Sequence, residues 1–209
     1  MRLIVFGSTG GTGRNIVEQA LRAGHKVTAI ARNPSKVTTQ HSRLEVIKGD
    51  VFQPETFQEA MLQQDAVLSA IGVNSTKPTT VYSEGVSNIV NAMQKGGVSR
   101  IICISASAVV TSPELIFPVR MMTKLLQGIL RNMYRDLLKM EQVVRQSNLY
   151  WTVVRPPRLT KGRLKNEYRF AVNEWLPNCL TISRADLAHF MLQHIQDANT
   201  YQSVVEVAY

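Results

Sequence analysis

Three glycines at the start of the sequence have a spacing that suits phosphate binding. Gly7, Gly10 and Gly13 form the pattern G-x-x-G-x-x-G, after the apolar run 3–6 and before the helix-period stretch 14–23. The first glycine permits a tight turn, the second lets a pyrophosphate approach the backbone, and the third allows close helix–strand packing. Amide N–H groups and the helix dipole then favour phosphate charge. The pattern predicts dinucleotide binding at this turn. The hydroxyls of Thr9 and Thr12 are further donors.

The end of the second predicted strand, residues 27–31, indicates which dinucleotide is bound. An acidic residue there would accept a hydrogen bond from the 2′-hydroxyl of NAD. This chain instead has Arg32, 19 residues after Gly13, followed by Ser35 and Lys36. Two cations suit a 2′-phosphate, which predicts NADP(H) as the cofactor. The alternative is that Arg32 and Lys36 are ordinary surface charges.

Two residues after the third predicted strand are candidates for adenine binding. Asp50 follows residues 44–47 and could accept a hydrogen bond from the adenine amine, while Val51 could pack on the ring. The alternative is that Asp50 is an acid at the start of a short helix beginning near Pro54.

Ser105 and Arg158 are the candidate catalytic residues on the acceptor side. Ser105 follows the fifth apolar run, 101–104, and its hydroxyl could donate to or orient a nicotinamide. Arg158 follows the sixth run, 152–154, and could pair with an anionic propionate or phosphate. The alternatives are a serine that caps the next segment and an arginine that is a surface cation or only supports the site.

Apolar runs alternate with helix-period stretches along the whole chain, including predicted helices at 54–62, 81–94 and 184–196. Such alternation predicts an α/β fold: a doubly wound parallel sheet of Rossmann type, in a single domain spanning 1–209. Residues 112–138 are irregular, with apolar side chains and cations interleaved. We expect one or two amphipathic helices there, which pack on the sheet, cover the acceptor pocket as a substrate-side insertion, or form an oligomer interface.

Several segments together resemble atypical short-chain dehydrogenase/reductases, most closely the biliverdin-IXβ reductase/flavin reductase family. They are residues 6–13, 31–32, 49–51, 78–85, 88–93, 105–106, 155–157 and 186–192. The resemblance implies that Thr9, Gly10, Gly11 and Thr12 hold the pyrophosphate, and that Arg32, Ser35 and Lys36 hold the 2′-phosphate. It also places Ile71, Gly72 and Tyr82 along the ribose wall and Ser105 at the nicotinamide. Arg158 stands where that family has a histidine, and 112–138 is more apolar than in that family.

The conventional chemistry of that superfamily needs a tyrosine and a lysine four residues later. Tyr134 has Leu138 at that offset and Lys139 one residue further, and an i,i+5 pair diverges on a helix. Flavins and linear tetrapyrroles need less, because the cofactor carries the hydride and solvent can supply the proton. We therefore expect an NADPH-dependent reductase of an aromatic, anionic acceptor. An NADPH-binding regulator or redox sensor acting through a protein partner, and a reductase or isomerase of another substrate, remain alternatives.

Composition narrows the partners and the compartment. The net charge is +9, but its cations are dispersed, without a polybasic run, which argues against nucleic acid. No apolar run approaches the roughly 18 residues of a membrane span. A strand is predicted at the very start of the sequence, and we interpret the two cysteines, Cys103 and Cys179, as reduced thiols. Both features predict a cytoplasmic protein. No metal-ligand spacing is present, so we expect no metal.

Overall fold

The structure is a computed structural model that describes residues 1–73, 75–111 and 117–209. Its centre is an eight-stranded sheet in which seven strands run parallel and the last, an edge strand, is antiparallel. The strands, in spatial order, are β3 (Leu44–Lys48), β2 (Lys26–Ala31), β1 (Arg2–Phe6), β4 (Ala66–Ser69), β5 (Arg100–Ile104), β6 (Tyr150–Arg155), β10 (Ser203–Ala208) and β8 (Arg169–Val172). This order confirms the predicted doubly wound Rossmann-type fold in a single domain.

Side chains of each central strand alternate between two apolar layers. In β1, Ile4 and Phe6 join one core cluster, while Leu3 and Val5 join the other. All four are fully buried, as expected for a parallel sheet covered on both faces. The first layer contains residues of α2 (Gln58–Met61), α3 (Ser83–Gly96) and α5 (Arg131–Gln146), and the second contains residues of α1 (Gly11–Arg22) and α6 (Arg184–Gln193).

The structure departs from the sequence expectations at short elements. The helix expected at 54–62 is a 3₁₀ turn, Pro54–Thr56, followed by the four-residue α2. Strands β7 (Arg158–Thr160) and β9 (Thr181–Ser183), which form a separate parallel pair, and the edge strand β8 were not predicted. Each is three or four residues long, too short for a hydrophobic period to stand out.

The irregular segment 112–138 contains helical structure, as expected. Residues 112–116 lie outside the described part of the chain, and the remainder forms α4 (Phe117–Ile129) and the start of α5. Among the described residues, no helix combines the length and apolar character needed to cross a membrane.

Candidate dinucleotide-binding site

A cleft of about 490 Å³ opens at the carboxyl ends of β1, β2, β4 and β5. This is the switch-point position at which open α/β sheets bind ligands. A depression of about 580 Å³ near Arg2 and Lys26, at the other edge of the sheet, contains none of the motif residues. The predicted site residues that line the cleft are Gly7, Thr9, Gly10, Gly11, Thr12, Arg32, Asp50, Val51, Ile71, Gly72, Tyr82 and Ser105. Those outside its lining are Gly13, Ser35, Lys36 and Arg158.

Two glycines of the turn are required by its geometry. Gly7 has φ +73°, and a Cβ there would lie 2.3 Å from the carbonyl oxygen of Ala70. A Cβ on Gly13 would lie 2.1 Å from the carbonyl oxygen of Gly7, because α1 packs directly on the turn. A Cβ on Gly10 would meet the same oxygen at 3.2 Å, and Gly10 has an ordinary φ of −74°. Gly10 is therefore the least constrained by the fold, which supports a role in ligand approach.

Three cations surround the turn that follows β2. Arg32 is exposed and lines the cleft, and Lys36 is exposed in the 3₁₀ turn Pro34–Lys36. The guanidinium of Arg14, on α1, donates to the Lys36 carbonyl oxygen at 3.4 Å. Sequence reasoning missed Arg14, although its place directly after the third glycine was a usable signal. Ser35 donates its hydroxyl hydrogen to Asn33 Oδ1 at 2.7 Å.

Asp50 and Val51 form the floor of the cleft beyond β3. One carboxylate oxygen of Asp50 accepts the Phe52 N–H at 3.1 Å, and the Asp50 N–H donates to Thr56 Oγ1 at 3.0 Å. These contacts give Asp50 a structural task in the turn before Pro54 in addition to its place in the cleft. The Val51 carbonyl oxygen accepts the Asn88 side-chain amide at 2.8 Å, which ties the floor to α3.

Tyr82 stands beside Ile71 and Gly72 along one wall of the cleft. Its hydroxyl oxygen accepts the Val73 N–H at 3.1 Å, and its own N–H donates to Asp136 Oδ2 at 2.9 Å. Burial is the main cause that raises the pKa of Tyr82 above its ordinary value. Tyr82 therefore braces the wall as a neutral phenol.

Ser105 belongs to a buried polar network that the sequence did not reveal. Its hydroxyl donates to Glu141 Oε1 at 2.7 Å. Arg155 at the end of β6 donates to both oxygens of the same carboxylate, at 2.9 and 2.6 Å. With its hydrogen directed at Glu141, Ser105 presents an oxygen lone pair to the cleft. Glu141 lies on α5, some 36 residues along the chain from Ser105, so no local pattern could have paired them.

The arginine that lines the cleft on the acceptor side is Arg184 rather than Arg158. Arg158 begins β7, is exposed, and is not among the cleft-lining residues. Arg184 donates to the carbonyl oxygens of Leu159 and Thr160 at 3.4 and 3.1 Å. A Cβ on Gly11 would lie 2.6 Å from Arg184 Cδ, so this side chain lies against the glycine turn. The anion contact of Arg158 stays a prediction that the cleft geometry does not favour.

The methionines of residues 112–138 and Met140 contribute little to the cleft, although we expected that this segment could cover an acceptor pocket there. Met133 lines the cleft, but Met140 is buried in the core, and Met121 and Met122 are exposed on α4 outside the cleft lining. Tyr134 is buried while Lys139 is exposed, so they do not form an acid–base pair.

The described residues show no group of histidine, cysteine, aspartate or glutamate side chains that could hold a metal ion. Cys103 and Cys179 are free thiols, and burial is the main cause that raises the pKa of each to about 12. Both are therefore protonated and inert at neutral pH.

Residues 7–198 match a family model described as NAD(P)H-binding. The chain therefore belongs to this NAD(P)H-binding family. Among curated proteins it is similar to the photosystem II assembly factor Ycf39 of Synechocystis, with 31% identity over 119 residues, or 55% of this chain and 36% of that protein. The chain spans about one third to two thirds of the length of the curated relatives it matches first.

Solved structures share the fold over the whole chain. The oxidoreductase ylbE from Lactococcus lactis superposes with a TM-score of 0.83 at 18% identity, covering 100% of this chain and 90% of that one. A proposed NADH-flavin reductase from Streptococcus pneumoniae gives 0.78 at 21% identity, covering 100% and 99%. At these identities the likeness concerns the fold. The fold and the family together show a Rossmann-type chain that binds a nicotinamide dinucleotide.

Proposed function

We propose that the chain is an NADPH-dependent reductase of a flat aromatic acceptor such as a flavin or a linear tetrapyrrole. The observation that carries this proposal is the composition of the cleft beyond the glycine turn. Past Ser105 its lining is mostly apolar, formed by Ala106, Met133, Leu137 and Leu159, with Arg184 as the cation beside Leu159. An apolar slot next to the nicotinamide position suits a planar ring system.

The choice of NADPH rests on the cations at the adenosine end. Arg14, Arg32 and Lys36 surround the turn after β2, and no acidic residue stands at the end of that strand. A 2′-phosphate bound there would be one fixed anion beside all three cations. It would take the place of the counterions that these cations have in solvent. The glycine turn would hold the pyrophosphate, with Arg184 as a further cation beside Gly11.

The residues of the chain orient the reactants and exclude water. The nicotinamide supplies a hydride when bound, and the acceptor takes its proton from solvent. Ser105, whose hydroxyl is held by Glu141, would help to hold the nicotinamide in the cleft by accepting a hydrogen bond from it. Ser105 is thus an orienting group rather than a proton donor. Arg184, which lines the cleft, is the candidate for the anionic group of the acceptor, and Arg158 stays the alternative that the sequence suggested.

Steady-state NADPH oxidation tests the proposal with FMN and with biliverdin as acceptors, beside a fluorescence titration of NADPH binding. We expect turnover with at least one of them and tight binding without an acceptor. Gly10→Val is the control, because a branched side chain blocks pyrophosphate approach at a glycine with an ordinary φ, where a Cβ would lie 3.2 Å from the nearest backbone atom. It should lose binding and turnover together while the far-UV circular dichroism is unchanged. Tight NADPH binding with no turnover on either acceptor would overturn the reductase assignment.

A second candidate is an NADPH-binding regulator that acts through a protein partner with little turnover. It is favoured by the name of the Ycf39 relative, an assembly factor, and by the separation of Tyr134 from Lys139. The same assay distinguishes the two, because the regulator binds NADPH and reduces nothing.

We further propose the cytoplasm as the compartment, and no nucleic-acid partner, since the cations of the chain are dispersed.

A further inference from the structure

Helix α4 turns its apolar half towards solvent. The large apolar side chains of this half are 39–76% exposed; they are Phe117, Met121, Met122, Leu125, Leu126 and Ile129. At 3.6 residues per turn these positions, with Pro118 and Gly128, cover one half of the circumference. That half contains no side chain that can form a hydrogen bond.

The opposite side of α4 fixes this orientation. The Gln127 side-chain amide donates to the Ala108 carbonyl oxygen at 2.9 Å and to Thr111 Oγ1 at 3.1 Å. The helix is therefore held to the body by a polar residue while its apolar residues point away. This reverses the usual amphipathic arrangement of a helix on a globular protein. An exposed contiguous apolar surface of this kind marks an interaction site.

Within residues 117–139 every exposed charge is positive. Arg120 and Lys124, four residues apart, lie along one edge of the apolar half. The exposed residues Arg131, Arg135 and Lys139 of α5 repeat the same four-residue spacing. Asp136 is the one acid of residues 117–139, and it is buried, where its carboxylate accepts from Tyr82 N–H and Ser83 hydroxyl.

We propose that α4 docks the protein on an anionic lipid bilayer surface, with its apolar half in the acyl boundary and the cations at the headgroups. An apolar face flanked by lysine and arginine is typical of helices that lie in a membrane interface. At 13 residues α4 is about 20 Å long, short of the roughly 20 residues of a span, so it lies in the plane.

Other occupants fit this surface less well. A second copy would bring the cations of both helices together, at a cost in like-charge repulsion. A protein interface carries about one hydrogen bond per 100–200 Å², which this half of α4 cannot supply from its side chains.

Vesicle flotation of the full chain tests the proposal, with phosphatidylcholine alone and with phosphatidylcholine containing about one third phosphatidylglycerol. We expect binding to the anionic vesicles only, weakened by added salt because the Debye length shortens. Leu125→Asp, at the centre of the apolar half, should lower the vesicle partition coefficient at least about tenfold. Arg120→Gln with Lys124→Gln should lower it less and remove much of the salt dependence.

Matched controls separate docking from unfolding or from general charge. Leu62→Asp changes an equally exposed leucine near the amino ends of the strands, and Lys26→Gln with Lys95→Gln removes two exposed cations from the same end of the molecule. All controls should float as the parent does, and every variant should bind NADPH like the parent. The proposal is overturned if the parent ignores anionic vesicles, or if Leu125→Asp floats equally well. A dimer in sedimentation that Leu125→Asp dissociates, without vesicle binding, would assign the surface to a second copy instead.

Discussion

Cofactor choice is decided at the scale of single residues. The backbone of the glycine turn offers the same N–H groups to NADH and NADPH, so discrimination depends on side chains that reach the ribose. Arg32 lines that end of the cleft, and the guanidinium of Arg14 on α1 contacts the backbone of Lys36 in the 3₁₀ turn that follows Arg32. Because each is exposed, none is needed for the fold, and their substitution tests binding without disturbing stability.

We expect the parent protein to bind NADPH at least about tenfold more tightly than NADH. One charge-assisted hydrogen bond contributes roughly 1.5–3 kcal/mol, or about ten- to a hundredfold in affinity. Arg32→Ala should remove most of the preference and leave NADH binding nearly unchanged, and Arg14→Ala should reduce it in part. Arg22→Ala, an exposed arginine at the other end of α1, is the control. Equal dissociation constants of the parent for both cofactors, measured by fluorescence titration, would contradict this assignment.

At the scale of elements, the Glu141 carboxylate joins α5 to β5 and β6. It accepts from Ser105 after β5 and from Arg155 at the end of β6. The side chains of Glu141 and Arg155 are only 3% and 12% exposed. The ion pair therefore holds the acceptor-side helix against the strands that carry Ser105. The network therefore affects both stability and the position of the serine hydroxyl.

Glu141→Ala should lower the free energy of unfolding by about 3–5 kcal/mol, because it leaves a guanidinium buried without its partner. Glu18→Ala is the matched control, since Glu18 pairs with Arg22 at 3.7 Å on the surface, where such pairs contribute about 0–1 kcal/mol. Urea denaturation measures both. Glu141→Leu combined with Arg155→Met should recover part of the loss. Equal losses for Glu141→Ala and Glu18→Ala would show that the buried pair is not structural.

The features that the sequence predicted differ from those it missed in one physical property, which is whether their signal is local. The predicted strands are short, mainly apolar runs between turn signals; they are β1, β2, β3, β5 and β6. The sequence placed each of them within a few residues of its observed bounds. The glycine turn was predictable because its function depends on local spacing. The Glu141 network, Arg184 and the orientation of α4 depend on contacts between distant segments. Periodicity showed that α4 is amphipathic, but could not show which half faces the body.

In the molecule as a whole, the sheet separates two apolar layers. Besides the network around Glu141, a second buried polar network is centred on Asp186, near the C-terminal end of the chain. Asp186, fully buried at the start of α6, accepts from Ser183 Oγ at 2.7 Å and Tyr209 Oη at 2.6 Å. It also accepts the N–H groups of Lys165 and Asn166, both at 2.9 Å. This carboxylate thus ties together β9, the loop before β8 and the residue that follows β10.

The stability of the whole molecule should depend on pH through Asp186. Burial raises the pKa of this carboxyl, but the hydrogen bonds from Tyr209, Ser183, Lys165 and Asn166 outweigh it and lower the pKa below its ordinary value. A lowered folded-state pKa contributes stability above the unfolded value of about 3.9, which is lost as the pH falls through the folded value. Asp186→Asn should therefore cost about 1.5–3 kcal/mol at neutral pH and less in acid. Urea denaturation at several pH values measures how the difference in the free energy of unfolding between the parent and Asp186→Asn decreases towards acid pH. Tyr209→Phe should show a smaller effect of the same sign. A gap between parent and Asp186→Asn that stays constant from neutral to acid pH would mean that the aspartate acts through shape alone, with no stabilisation from its charge.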